Sequence, residues 1–463
     1  MKEPRPCRCQ LFLLTYAMLL TFSSAAQDID LRSVSSTYAI KDATIVQSPG
    51  KVINDGIVLL EDGVIKAVGK SVTIPAHAQI IEADSMYVYA GFINGLSHAG
   101  LPKPKEKTFD RGKIKDPANP PNELAGIQPE QMASNLLKPA DESVSSLRKL
   151  GFTAAHSVPH GRMLPGKGTL ILLHGSTADE MVLINETSMF SQLSGAPRRL
   201  YPNTVIGVMA KYRELYRQAS QSKDYQIRYK SNASGMTKPE QSFVEEAFYP
   251  VLEKRIPVVF KAQSVLDIQR VLTLQSDLGF NLVLGEVKQG WDVIDKLKGS
   301  DAKVFLTLDF PKINEEKPDS VTIEEPKTKT DFELEKEHLE KRKQEMIEKH
   351  FLQASAFKEK GIIFGFSTLE VKPGDIKKNL NALLDFGMDE SDVLAALTTH
   401  PAELLGVSNI MGTIDVGKMA NLIISDRPYF QKESNLRYVF VNGNIHEYEA
   451  KPDKKKEKDT DKN

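Results

Sequence analysis

The middle of the chain alternates short apolar segments with segments of helical spacing. The apolar segments have the length of strands, and they lie at residues 258–260, 282–284, 304–308 and 362–366. Continuous apolar runs of this length are typical of parallel strands that are buried on both faces. Segments with helical spacing lie between or after them, at residues 266–278, 291–297 and 375–386. This alternation predicts an α/β fold, a (β/α)8 TIM-like barrel whose chemistry lies at the C-terminal ends of its strands.

The two ends of the chain have a different pattern, with short strands and tight turns. Residues 38–46 and 56–68 are rich in strand formers, and Asp62-Gly63 interrupts the second stretch. Residues 420–425 and 438–441 repeat this style, with Asn442-Gly443 as the turn that follows. An Asp-Gly or Asn-Gly pair between apolar runs is a strong hairpin signal. We therefore expect a small β-sandwich built from both chain ends, with the barrel inserted between them.

Length and charge agree with a large globular protein. The chain has 463 residues, of which 41% are hydrophobic and 26% are charged. This is enough to bury one barrel and a small satellite domain. The formal net charge is -1, so the composition offers no basic field for nucleic acid.

The first 26 residues have the character of a signal peptide. They combine a basic start, an apolar run at residues 11–22 and small residues at 24–26. The apolar run is too short for a membrane span. Cleavage would also remove Cys7 and Cys9, leaving a mature chain without thiols. We expect an exported protein, periplasmic or secreted, with no membrane span after cleavage.

Two motifs at opposite ends of the predicted barrel resemble one family. Residues 90–98 read Ala-Gly-Phe-Ile-Asn-Gly-Leu-Ser-His, and residues 399–406 read Thr-His-Pro-Ala-Glu-Leu-Leu-Gly. Residues 412–423 then resemble the strand that follows the family's closing helix. Together they resemble the amidohydrolase superfamily, in particular its imidazolonepropionase-like branch, whose fold agrees with the predicted barrel and sandwich. The resemblance covers nearly the whole chain after the signal peptide.

The resemblance implies a metal site, and this chain departs from the family at most of its ligand positions. Family members carry Asp-x-His-x-His where this chain has Asn94, Leu96 and His98. Histidine positions of later strands hold Lys261 and Gly285-Glu286, and the aspartate of the last strand is Ser367. Of the usual ligands only His98 clearly survives, whereas a catalytic zinc needs three or more protein ligands. We therefore expect no zinc or other cofactor and a largely lost activity.

Each remaining polar residue has two interpretations. His98 is either a hydrogen-bonded relic or a retained ligand. Lys261 either supplies a fixed positive charge for a small carboxylate ligand or pairs with Glu286 or Asp309. His156 and His160 follow a second strand, where loop histidines are usually polar surface. With His98 they could instead form an unusual metal site.

Residues 161–168 come within one residue of a phosphate-binding loop. The last position lacks the hydroxyl that binds magnesium, and the residues that follow predict a strand where the motif requires a helix. We therefore interpret the segment as structural.

A charged insertion occupies residues 311–350. From residue 331 onward its spacing predicts a helix with a thin apolar stripe at Phe332, Leu339 and Met346. Such a helix could cap the barrel mouth or meet a partner, although a solvated face is the default. The charged tail at residues 450–463 predicts disorder.

The predicted organisation is a signal peptide, a sandwich part at 27–90, a barrel at 91–408 and a second sandwich part at 409–449. Two functions stay open. The first is a non-catalytic or binding protein, which could be a subunit that pairs with an intact amidohydrolase relative or with itself. The second is a metal-dependent hydrolase of cyclic amides or peptide-like C–N bonds that uses a rearranged zinc site. The sequence leaves open whether the protein is an enzyme.

Overall fold

The computed structural model describes residues 37–104, 114–197, 199–300, 302–312 and 330–449. The predicted signal peptide, the charged tail and residues 313–329 of the insertion lie outside these ranges. Within the described ranges, no helix combines the length and apolar character needed to cross a bilayer.

The described residues form sixteen strands. The N-terminal group comprises β1 Tyr38–Ser48, β2 Lys51–Glu61, β3 Val64–Gly69, β4 Gln79–Glu82 and β5 Tyr87–Ala90. The central group comprises β6 Phe92–Ser97, β7 Phe152–Ser157, β8 Gly166–Leu172, β9 Val182–Gln192, β10 Val258–Lys261, β11 Leu282–Val287, β12 Lys303–Thr307 and β13 Phe364–Ser367. The C-terminal group comprises β14 Leu422–Ser425, β15 Leu436–Val441 and β16 Asn444–Glu447. The apolar runs predicted as barrel strands are confirmed as β10 to β13.

Twelve α-helices accompany these strands. They are α1 Asn122–Ala125, α2 Glu142–Arg148, α3 Ala178–Met181, α4 Val205–Ser231, α5 Phe243–Glu246, α6 Tyr249–Leu252, α7 Val265–Leu278, α8 Ile294–Lys298, α9 Asp331–Glu359, α10 Pro373–Asp385, α11 Glu390–Leu397 and α12 Thr399–Leu404. Short 3₁₀ turns lie at Ala133–Leu136 and Trp291–Val293. The helix predicted from residue 331 is confirmed as α9, which begins with a capping box between Thr330 and Glu333.

The central strands close into an eight-stranded barrel, β6 to β13. Seven strands are parallel, and β8 runs antiparallel to both of its neighbours. The prediction of a regular (β/α)8 barrel is therefore wrong at this strand. No helix lies between β7 and β8, and a short connection without a crossover returns the chain in the opposite direction. β8 begins within the residues that imitate a phosphate-binding loop, which confirms that a strand, not a helix, follows them.

The two chain ends meet in one sheet with the order β16-β15-β14-β5-β1-β2-β3, and β4 also pairs with β1. The strands of the predicted sandwich are hydrogen-bonded as this one sheet, which branches at β1 because its first half pairs with β4 and its second half with β5. Both predicted hairpin turns are present. Asp62 and Gly63 have φ of 50° and 77°, and Asn442 and Gly443 have φ of 50° and 78°, as a type I′ turn requires.

Candidate functional site

The C-terminal ends of the barrel strands bring most of the predicted site residues to one mouth. Lys261 ends β10, Glu286 lies near the end of β11, and Ser367 ends β13. His98 follows β6 directly. The sequence placed these residues at strand ends, and closure of the barrel places the ends side by side.

An apolar plug fills the barrel below this mouth. It consists of Leu96, Val158, Phe190, Val259, Val283 and Phe305, each contributed by or next to a different strand. Leu96 is fully buried. A Cβ atom added to Gly285 would lie 2.5 Å from Leu96 Cδ2, so a larger residue at position 285 would require the Leu96 side chain to move. Leu96, where the family resemblance implies a metal-binding histidine, is thus packed closely against Gly285.

Glu286 is the most unusual residue of the mouth. It is fully buried and has a positive φ of 58°, a conformation that costs a non-glycine residue about 1 kcal/mol or more. The register between β11 and β12 shifts at this point. Such an irregularity redirects a side chain, and here it directs the carboxyl group into the barrel.

Two hydroxyl groups meet the Glu286 carboxyl. Thr307 Oγ1 donates to it at 2.6 Å, and Ser367 Oγ forms a short hydrogen bond with its other oxygen. Ser367 Oγ also lies 3.1 Å from the carbonyl oxygen of Leu96. Because a serine hydroxyl carries one proton, it satisfies both partners fully when the Glu286 carboxyl is protonated and donates to Ser367.

The pKa of Glu286 is consistent with this arrangement. Burial raises the pKa of its carboxyl from 4.5 to about 7, against the lowering effect of the Ser367 and Thr307 hydroxyls. A carboxyl with this pKa exchanges its proton near neutral pH. Strain, burial and a shifted pKa together mark Glu286 as a functional candidate.

Lys261 pairs with Glu370, in the loop after β13, and not with Glu286 or Asp309 as the sequence suggested. Gln263 Nε2 also donates to the Glu370 carboxylate, at 2.6 Å. Asp309 instead binds Lys288 at 2.8 Å. The predicted internal ion pair is therefore present with a different partner, because the loop after β13 folds back over the mouth.

The Lys261–Glu370 pair sets the pKa of the exposed carboxylate. Burial opposes ionisation of Glu370, but the hydrogen bond and charge of Lys261, with smaller effects of Gln263 and Lys288, lower its pKa overall. The ammonium group that could attract a ligand carboxylate is already bound to a protein carboxylate.

We expect Lys261→Met to lower the free energy of unfolding by about 1 kcal/mol, as for a partly exposed ion pair. Neither the parent protein nor the variant is expected to bind a small carboxylate. Methionine keeps most of the length of the side chain and removes its charge. Thermal-shift titration with acetate and succinate measures the binding. The matched control is Lys288→Met, which removes the neighbouring ion pair. Carboxylate binding that disappears only in Lys261→Met would instead establish an anion site.

His98 and His160 stack at the mouth, with ring centroids 3.7 Å apart and an interplanar angle of 28°. His98 Nδ1 lies 2.6 Å from the Val158 carbonyl and His160 Nε2 lies 3.1 Å from the Leu101 carbonyl. Because a carbonyl only accepts, each of these nitrogens carries the proton and the other ring nitrogen keeps its lone pair. Burial, His160 and Lys261 lower the pKa of His98 to about 3, and burial lowers that of His160. Both rings are therefore neutral near pH 7.

The prediction that His156 is a loop residue is wrong. It lies on β7 and is buried, with Nδ1 at 3.2 Å from the Gly95 carbonyl and Nε2 at 3.0 Å from Ser188 Oγ. Burial lowers its pKa to about 4. Both ring nitrogens are occupied, so His156 braces β6, β7 and β9 and does not join the stacked pair.

The residues at the mouth do not fit a catalytic zinc. Leucine lacks a donor atom, the Lys261 ammonium is bound to Glu370, and Ser367 is a neutral hydroxyl engaged by Glu286. Across the described part of the chain, no group of three or more His, Cys, Asp or Glu side chains is arranged to hold a metal ion. A structural or catalytic zinc normally needs three or four such ligands.

Sequence reasoning missed Thr307, Gln263 and Glu370 as members of the site. Each lies at or just after a barrel strand, so its position at the mouth could have been predicted. The hydrogen-bond partner of each residue could not be predicted, because the partners are far apart in the chain. Glu370 lies 107 positions from Gln263 and 109 positions from Lys261.

Comparisons with known proteins relate this architecture to one superfamily. Residues 308–446 match the amidohydrolase family. The fold is similar to that of an amidohydrolase from Thermotoga maritima, with a TM-score of 0.70 and 19% identity over 89% of this chain and 100% of that one. It is also similar to a prolidase complexed with N-methylphosphonate-L-proline, with a TM-score of 0.52 and 14% identity over 89% of this chain and 100% of that one. None of the curated proteins matches the sequence.

Proposed function

We propose that the chain is a non-catalytic member of the amidohydrolase superfamily, a binding or partner protein that uses the barrel without its metal chemistry. The observation that carries this proposal is the apolar plug. Leu96 lies where the family resemblance implies a histidine that binds the metal, and its side chain fills the space that a Cβ atom at position 285 would enter. The close packing of Leu96 against Gly285 supports a barrel interior that is adapted to apolar packing and not to metal binding.

The polar groups around the plug support the same proposal. In a metal hydrolase the bound ion lowers the pKa of the attacking water, and the family resemblance implies an aspartate of the last strand that handles its proton. Here the position of that carboxylate is Ser367, whose hydroxyl is bound to Glu286. Glu286 is itself shielded from solvent. The mouth therefore offers hydrogen-bonding groups and two neutral imidazoles, which suit binding better than hydrolysis.

We predict that the purified protein retains far less than one zinc per chain after dialysis, measured by inductively coupled plasma mass spectrometry. Zinc added before the measurement should also leave the unfolding temperature unchanged, because the residues that the structure describes bring no three zinc ligands together. The variants His98→Ala and His77→Ala provide the comparison, since His77 is an exposed histidine remote from the mouth.

The alternative is a metal-dependent hydrolase of C–N bonds with a rearranged site. The observation in its favour is the stacked pair, because His98 and His160 each present a ring nitrogen with a lone pair. About one zinc per chain that is lost in His98→Ala and kept in His77→Ala would support this function and contradict the proposal.

A further inference from the structure

The long helix α9 has a packed half and a projecting half. In its C-terminal half, Phe351 and Phe357 are buried. Gln353 accepts a hydrogen bond from the Gly290 amide at 2.6 Å and donates to the Val287 carbonyl at 3.3 Å. These contacts fix this part of the helix at the C-terminal end of β11, level with the barrel mouth. The residues before position 350 therefore extend beyond the mouth, over about 28 Å at 1.5 Å per residue.

An apolar stripe runs along the projecting half. Phe332, Leu339 and Met346 are 76%, 46% and 45% exposed. At about 100° per residue they fall within a narrow arc of the helix. Gln353 and Phe357 lie on the same arc, so the stripe continues the face that packs on the barrel. The face of α9 that packs on the barrel therefore continues as an exposed apolar stripe beyond the barrel mouth.

Charges are segregated along the projecting half. Residues 331–340 carry five acidic side chains and one basic side chain, namely Asp331, Glu333, Glu335, Glu337 and Glu340 with Lys336. Residues 341–349 carry four basic side chains and two acidic ones, namely Lys341, Arg342, Lys343 and Lys349 with Glu345 and Glu348. A partner that runs in the opposite direction with the same sequence is complementary to both stretches.

We propose that the projecting half of α9, residues 331–349, pairs antiparallel with the same segment of a second copy of this chain. The two-fold axis passes beside Leu339, so that Leu339 meets Leu339 and each Phe332 lies opposite Met346 of the second copy. On one flank Glu335 then lies beside Arg342 of the second copy, and symmetry repeats this contact. The two barrel mouths face each other across the helix pair.

A parallel pairing would be opposed by charge. It would set the acidic stretch of one copy beside the acidic stretch of the other, and like charges that flank the contact between two helices oppose their pairing. In the antiparallel pairing, Lys336 of one copy lies close to Lys343 of the other on the second flank. Glu340 binds Lys343 of its own chain at 2.9 Å there and offsets this repulsion. The contact is small, at the low end of specific interfaces, and the dimer is therefore reversible.

The oligomeric state tests the pairing. Sedimentation velocity of the full chain should show a concentration-dependent dimer, and Leu339→Arg should weaken its association at least about tenfold. The matched control is Leu266→Arg on α7, which also introduces arginine at an exposed leucine. Leu339 is exposed, so folding should be retained, and the unfolding temperature of both variants checks this. A chain that stays monomeric in the micromolar range, or a dimer that Leu339→Arg leaves intact, would overturn the proposal.

Cysteine cross-linking tests the direction. In a background with Cys7→Ser and Cys9→Ser, Leu339→Cys should form an intermolecular disulfide. Phe332→Cys alone should not, because its two copies would lie about 21 Å apart along the pair. A mixture of Phe332→Cys and Met346→Cys should cross-link across the copies. Self-linking of Phe332→Cys as efficient as that of Leu339→Cys would indicate a parallel pair and contradict the antiparallel arrangement.

Discussion

Replacing Glu286 with glutamine is expected to stabilise the protein at about pH 8 by about 3 kcal/mol and to change its stability little at the acidic end of the range. Glutamine has nearly the shape of a protonated glutamate. Its amide can donate to Ser367 and its carbonyl can accept from Thr307, as the protonated carboxyl does. The variant therefore keeps the hydrogen bonds and removes the ionisation.

The pH dependence follows from the raised pKa. The folded protein holds the Glu286 proton up to about pH 7, whereas the unfolded chain releases it near 4.5. Between these values the folded state binds more protons, so this contribution to stability is complete below 4.5 and is lost as the pH rises toward 7. The expected signature is a free-energy difference between variant and wild type that grows over this window and then levels off.

Urea denaturation of both proteins across the range from pH 4.5 to about 8 measures this difference. The titrations of His98 and His156 contribute equally to both and cancel. Glu130→Gln, at an exposed glutamate, is the matched control for the chemical change itself. A difference for Glu286→Gln that stays constant over this range would mean that this carboxyl does not titrate near neutral pH.

Deleting residues 412–463 is expected to abolish soluble, cooperative folding. The deletion removes β14, β15 and β16, of which β14 pairs with β5 over four residues from Tyr87 to Ala90. It also removes buried core residues of the shared sheet, namely Ile414, Ala420, Leu422, Ile424 and Phe440. At about 1.5–3 kcal/mol for each large apolar side chain, the loss of this burial is comparable to the whole stability of a domain, about 5–15 kcal/mol.

Expression yield, size-exclusion chromatography and near-ultraviolet circular dichroism of the truncated chain measure the outcome. The exposed edge of β5 should lead to aggregation. A chain that lacks only residues 450–463 is the control, since these residues contribute none of the described strands. A soluble truncation at 412 with a sharp unfolding transition would show that the N-terminal strands fold without the C-terminal ones.

Much of the fold could be predicted because its signals are local. Apolar runs predicted β10 to β13, and the Asp62-Gly63 and Asn442-Gly443 pairs predicted two turns that the structure confirms. Strand propensity and turn geometry depend on neighbouring residues, which a single sequence displays. The direction of β8 was missed because strand pairing depends on the length and path of a connection, and apolar runs do not reveal either.

The site was only partly predictable. The sequence itself identifies Leu96, Lys261 and Ser367 at the ends of strands where the family resemblance implies metal ligands. It did not identify Glu370 as the partner of Lys261. Choosing among several carboxylates requires the path of the loop after β13, and that path is decided by packing over the mouth.

The sequence by itself therefore determined the class of fold, the joining of the two chain ends and the chemical identity of the groups at the mouth. Only the tertiary structure decided the pKa values and the hydrogen-bond partners of these groups. Glu286 acquires a pKa of about 7 because packing removes water from its carboxyl, and burial at the mouth lowers the pKa values of His98 and His160. Desolvation depends on every atom that surrounds a group, and those atoms come from strands that are distant in the chain.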